Sequence, residues 1–335
     1  MTANKQPELK KFKKELLFYY ESRQNPNGDP GFENQPRLMS DGTIIVTDVR
    51  IKRTIRDYAK NRYNVKLFVD FGDEGTPVTA DKRAKEILGN NFNDAIKGLA
   101  VKTFDVPLFG GLVTIRSDKG GGGSSHKLTG PVQFAIGRSV NQVQVLNPMI
   151  SGRFVGKEKK GDSSDDEGQK QFSTFGKFYS IDYALIKIQG AINPTNLGGY
   201  LEDADVVESF NNAESKLLPS LWEGTNALIT RSKFPQRSVF LLEVTYDGSI
   251  YNDLPILVEE DSALKGKASS LTASPLKFTK LLEALKTRKE KVKKIRLASC
   301  KDLLKDTQQL EADIKALGIQ VELIRTEEPV EVANS

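Results

Sequence analysis

Five cations crowd one short stretch. In TDVRIKRTIRDYAK, residues 47–60, Arg50, Lys52, Arg53, Arg56 and Lys60 face only two acidic residues, Asp48 and Asp57. At about a hundred degrees per residue, Ile51, Ile55 and Tyr58 form an apolar stripe on a helix. Lys52, Arg53, Arg56 and Lys60 then gather on the opposing arc, with Arg50 beyond it. Surface helices commonly interleave signs to form i,i+4 pairs. Cations gathered on one arc repel one another unless an anion lies over them, so their chemistry would be to grip phosphate. A solvated basic face would carry the same charges. The segment upstream, NPNGDPGFENQPR at 25–37, shifts the balance. Pro26, Pro30 and Pro36 fix φ, while Asn27, Gly28 and Asn34 accept turn geometries, so this loop is stiff and its donors suit phosphate or sugar oxygens. Loop and helix together are expected to cradle a nucleic-acid backbone, with Arg23, Asn27 and Arg37 on the loop side and Thr47 or Asp48 as the helix N-cap.

Acid–base chemistry finds little support. The chain has one histidine, His126, and one cysteine, Cys300, which excludes a disulfide framework, cysteine-based zinc sites and most histidine-centred metal clusters. No catalytic set, metal site or cofactor is expected. His126 has no partner signature for general-base work and is expected to be exposed. GGGGSS at 120–125 has the composition of a phosphate loop but lacks its GK[ST] ending. Asp29 is the one carboxylate in a rigid loop that could do chemistry; the simpler role is to accept backbone hydrogen bonds within its own turn.

The elements that must position these groups read as α+β. Among 335 residues, hydrophobic types make up 38% and charged types 28%, with a net charge of +5, a composition suited to a soluble globular protein. No apolar run approaches a membrane span, and the first residues lack a signal-type apolar core, so a cytoplasmic location is expected. Strands are expected at 15–23, 65–71, 104–117, 130–148, 177–192 and 238–248. Two short helices broken at Gly89 are expected over 79–100, and partial helix over 201–227. The end of the chain should give helix, strand, helix and strand from about 275. The segment 156–170 is nearly free of apolar residues and reads as an exposed, mobile hairpin tip. Many strands without a repeated βα rhythm indicate a mainly antiparallel sheet, best fitted by an enlarged β-α-β-β-α-β core of ferredoxin or RNA-recognition type.

NPNGDP, NQPR and VTDVRIKRTIRDYA, taken together, resemble the backbone subunit of type I CRISPR interference complexes, the protein that polymerises along the guide RNA in Cascade. DVPLFGG followed by TGPVQFAIGRSV is similar to that family's next signature, and SLWEGTNALITRSKFPQRSVFLLEV to a later one. The likeness spans about 15 to 250 and is closest to the type I-B branch. It implies a single palm-centred unit over 1–335, with insertions at about 25–46 (loop), 71–103 (helical finger), 117–128 (glycine-rich loop) and 141–176 (thumb hairpin). By the family's L-K-R-x-x-R spacing, Lys52, Arg53 and Arg56 would hold guide phosphates, with Ile51 in place of Leu. Pro107 stands where the family usually has Arg, which removes one phosphate contact.

In the thumb segment, Met149, Ile150 and Phe154 are the candidate wedges between bases, unless they bury in the hairpin's own base. Arg231, Lys233 and Arg237 in TRSKFPQR offer a second phosphate contact or a subunit interface. The run 285–296 is more basic still; it either steers DNA or forms a solvated face. The resemblance implies a non-enzymatic scaffold whose partners are guide RNA, target DNA, further copies in a head-to-tail filament and other Cascade subunits. The rival reading is an RNA-cleaving subunit that uses Asp29.

Overall fold

Eight strands build the main sheet of the computed structural model, which describes residues 12–89, 93–115, 124–152 and 174–324. They are β1 (Phe12–Ser22), β2 (Ile45–Val46), β3 (Val132–Phe134), β4 (Gly137–Ser139), β5 (Ala184–Ile192), β6 (Gln236–Asp247), β7 (Val292–Ser299) and β8 (Gln320–Leu323). Their order is β8-β7-β6-β1-β5-β4-β2, with β3 also paired to β5. Only β7–β8 is a parallel pair, so the sheet is mainly antiparallel, as expected. The longer helices among the described residues pack around it: α1 (Asp48–Tyr63), α2 (Ala80–Leu88), α3 (Ala95–Lys102), α4 (Ala204–Asn226), α5 (Thr279–Arg288) and α6 (Leu304–Ala316).

The central strand β1 reads ELLFYY without polar alternation because both of its faces are buried. Leu16, Phe18 and Tyr20 point to one side and pack with Ile51 and Ile55 of α1 and Phe210 and Leu217 of α4. Leu17 and Tyr19 point to the other and join Phe240 and Leu242 of β6, Leu281 of α5 and Leu310 and Ile314 of α6. Side chains alternate along a strand, so one sequence supplies two cores. Each such side chain contributes on the order of 1.5–3 kcal/mol on burial. The sheet face opposite α1 and α4 is therefore covered by a second layer.

α1 and α4 touch closely at Gly224, where an added Cβ would come 2.9 Å from Tyr58 Cβ and 3.1 Å from the Thr54 carbonyl oxygen. α4 runs unbroken through Pro219, carried by the burial of Leu217, Leu218, Leu221 and Trp222 around it. The FGG and GPVQ motifs meet in the same way. Gly110 and Gly130 bring two backbones so close that a Cβ on Gly130 would lie 2.3 Å from Gly110 N. From there a two-stranded ribbon, Gly110–Ile115 with Ser124–Thr129, projects beside α2 and α3.

Several expectations need correction. The 65–71 stretch is not a strand, because the Phe68 and Val69 amides donate to the Asp105 carboxylate (2.8 and 3.0 Å) rather than to a neighbouring strand. The 104–117 stretch begins with a short helical turn, Val106–Phe109, before its strand. The 130–148 stretch breaks into β3, β4 and a separate short strand, Val145–Leu146, which pairs with Ser180–Ile181 instead of joining the main sheet. His126 is half-buried, opposite Val113 in the ribbon, rather than exposed. Two short helices over 79–100 do form, with Gly89 closing the first at φ 84°. The expected hairpin tip at 156–170 lies outside the described residues, but its stem is present as Met149–Gly152 paired with Thr174–Lys177.

Candidate nucleic-acid interface

The polar loop is built as a rigid bracket. Gly28–Asp29 pairs with Gln35–Pro36, and the Asn25 amide donates to the Asn34 carbonyl (2.6 Å). Asp29 accepts from Gly31 N (3.0 Å) and from Arg37 Nη1 (2.9 Å). Both of its carboxylate oxygens are therefore engaged within the loop. Asn27 then fastens the bracket to α1: its Oδ1 accepts from Thr47 N (2.8 Å) and Thr47 Oγ1 (2.9 Å). Thr47 is the N-cap, with its side chain accepting from Arg50 N. The order of loop before helix thus has a local cause: the loop holds the helix cap in place.

The cations of α1 do not stand unpartnered on one arc. Lys52 pairs with Asp48 (3.0 Å) and Arg53 with Asp57 (2.7 Å), both at i,i+4, and Lys60 pairs with Asp70. Arg56 is buried, its Nε donating to Asp105 (2.8 Å) beneath the Phe109 ring. Arg56, expected from the sequence to grip RNA, meets this carboxylate instead of facing solvent. The helix turns it inward, because Asp105 is fully buried and already gathers the Phe68 and Val69 amides, and a buried carboxylate needs a cation. Arg50 alone among these residues has no carboxylate within salt-bridge distance among the described residues; it donates to Thr54 Oγ1 (2.9 Å).

Arg50 instead lines a cavity of about 550 Å³ between the bracket, the first turn of α1, the segment before β6 and the thumb stem. Arg231, Lys233 and Lys177 line it too, and among the described lining residues they face one carboxylate, Glu33. Glu33 is already engaged by Lys177 (2.9 Å) and Tyr179 (3.1 Å), and Lys177 holds its carboxyl below the usual range. Arg231 stacks over the Phe178 ring, 5.2 Å from its centre. Lys233 Nζ donates to the Asn25 carbonyl (3.1 Å) and to Ser232 Oγ (3.2 Å). Burial, and then the charge of Arg50 close by, push the Lys233 ammonium down to about 8. Burial likewise pushes Arg50 down. Two half-buried cations that repel each other, with no carboxylate bridging them among the described residues, form a site suited to an anion.

Of the residues singled out from sequence, Asn27, Arg50, Arg231 and Lys233 meet at this cavity. Arg23 stacks on Tyr183 (5.1 Å) and Arg37 closes the bracket on Asp29; neither lines the cavity. Met149 lies in the thumb stem, and Phe154 falls outside the described residues. Arg237 is engaged by Glu21 and Asp302. In the basic run, Arg288 pairs with Asp253 and Arg296 with Glu243 and Glu214, leaving Lys286, Lys289 and Lys291 exposed. Sequence reasoning missed Lys177, Phe178 and Tyr179. Their signal was a KFY run where the thumb segment rejoins the sheet, read only as part of a strand.

No group of three or more His, Cys, Asp or Glu residues among the described residues is placed to hold a metal ion, and no described helix is long and apolar enough to cross a membrane. A search of curated proteins finds no match. Among solved structures, one titled "CRISPR RNA-guided surveillance complex, pre-nicking" aligns at 14% identity over 93% of this chain and 96% of that one, with a TM-score of 0.49. Another, titled "CRISPR RNA-guided surveillance complex", aligns at 13% identity over 92% and 94%, with a TM-score of 0.47. The family described as CRISPR-associated protein Cas7 matches residues 13–298, and this chain belongs to that family.

Proposed function

We propose that this protein is a non-enzymatic scaffold that binds the guide RNA of an antiviral Cascade complex, of type I and closest to the I-B branch. Copies stack head to tail along the guide in the cytoplasm and, with the other Cascade subunits, present its bases for pairing with target DNA. The protein reads backbone shape and leaves sequence to base pairing. The β1–α1–β3/β4–β5–α4–β6 core is the palm of RNA-recognition type, α2, α3 and the ribbon beside them are fingers, and the segment 141–176 is the thumb.

One observation carries this reading: the cavity beside the α1 cap, where Arg50, Lys177, Arg231 and Lys233 face a single, already paired carboxylate. Phosphate is the anion that fits, with Asn27 holding the wall and Lys52 and Arg53 extending the contact along the outside of α1. The test is RNA co-purification. Arg50→Glu with Lys233→Glu is expected to lower sharply the nucleic-acid absorbance of the purified protein while leaving its thermal melt intact; an unchanged RNA yield rejects the assignment. The rival with Asp29 as a nuclease residue predicts evenly spaced cuts in complementary RNA with divalent metal, lost in Asp29→Ala. The engagement of both Asp29 oxygens within the loop favours the scaffold.

A further inference from the structure

A second positive groove lies at the other end of α1, about 24 Å away along a sixteen-residue helix rising 1.5 Å per residue. It holds about 160 Å³ between the chain just past α1, the end of α3 and the middle of α4. Three lysines enter it from three separate segments: Lys66, Lys102 and Lys216. No carboxylate lines it. None of the three lysines has a carboxylate within salt-bridge distance among the described residues, whereas those of α1 and of the thumb stem each have one. Lys216 is positioned by the Asn212 carbonyl (3.1 Å) and by the Tyr63 ring, and Ser209 fixes the wall by donating to the Val101 carbonyl (3.2 Å).

We infer that this groove is a second phosphodiester site, taking a single-stranded nucleic-acid backbone at a point separate from the cavity beside Arg50. Three ammonium groups converge from three segments with no carboxylate among the described lining residues, so the groove suits a polyanion, and a nucleic-acid strand supplies phosphates in series to such point charges. Its distance from Arg50 prevents both sites from gripping one phosphate.

The experiment uses the full chain, titrated with fluorescein-labelled oligo(dT) and oligo(U) 20-mers over a salt series. Wild type is compared with Lys66→Ala/Lys102→Ala/Lys216→Ala, each alone and combined with Arg50→Glu/Lys233→Glu. Release of counterions from single strands contributes about 0.7 per phosphate to the slope of log affinity against log salt. The triple variant is expected to lose about 2 units of slope, with an unchanged melt, in both backgrounds. Loss with oligo(dT) alone names DNA as the strand held, and loss with oligo(U) alone names RNA. An unchanged slope with both overturns the inference. Because the triple variant is read in both backgrounds, its failure is distinguishable from a failure of the Arg50–Lys233 site.

Discussion

Replacing Lys233 with arginine tests the electrostatics of the cavity through pH. Burial and Arg50 hold the Lys233 ammonium at about 8 in the free protein, below the ordinary lysine value. An RNA phosphate seated between the two cations restores that value, so above pH 8 binding must take up a proton. With a free-state value of 8, the protonated fraction falls about tenfold between pH 7 and pH 9, and RNA affinity falls with it, roughly 1.4 kcal/mol. Lys233→Arg keeps its charge throughout this range and should bind with little pH dependence. The assay is fluorescence anisotropy with an adenine oligoribonucleotide, whose bases do not titrate there, at pH 7, 8 and 9. The same lysine leaves a stability signature of opposite sense. Its folded-state value lies below its unfolded one, so its charge destabilises the free fold below pH 8, and the penalty fades as pH rises towards the unfolded value. Lys233→Met should therefore raise unfolding stability at pH 7 by about 1–2 kcal/mol after solvent screening, while weakening RNA binding. A pH-independent wild type, or a Lys233→Arg variant that weakens with pH as wild type does, would refute the two-cation phosphate site.

Other perturbations separate support from contact. Arg56→Ala leaves the buried Asp105 carboxylate unmatched and should cost about 3–5 kcal/mol in chemical denaturation, with unchanged RNA affinity per folded molecule. Asn27→Ala removes the acceptor for Thr47 N and Oγ1, and should lower stability by roughly 1–2 kcal/mol and weaken RNA binding at the cavity. Gly224→Val drives a side chain into Tyr58 and the Thr54 carbonyl and should destabilise by about 1–3 kcal/mol, read as a lower melting temperature. Asp29→Ala should cost about 1 kcal/mol from the lost turn bonds and leave complementary RNA as intact as wild type leaves it.

The sheet's long strands, α1 with its Thr47 cap, the two short finger helices and the four terminal elements were legible because each announces itself locally. Dense apolar runs, capping residues and Gly89 act through their immediate neighbours. The strands assigned to 65–71 and 104–117 were misread because their backbone donors bond to one distant carboxylate, Asp105, or close a helical turn. Likewise the bracket's stiffness followed from its prolines and asparagines, but its attachment to the cap through Asn27 is a contact twenty residues long.

By itself the chain order determined the fold class, the stiff loop ahead of a basic helix, the absence of cysteine and histidine chemistry, and the motifs of its family. Only tertiary structure decided which cations remain available for a ligand. Helical periodicity places Lys52, Arg53, Arg56 and Lys60 on an arc, but it cannot see Asp105 and Asp70 arriving from elsewhere in the chain to neutralise two of them. Nor can it see Lys233 and Lys177 arriving to join Arg50. Charge balance is a property of neighbours in space, and long-range packing chooses those neighbours.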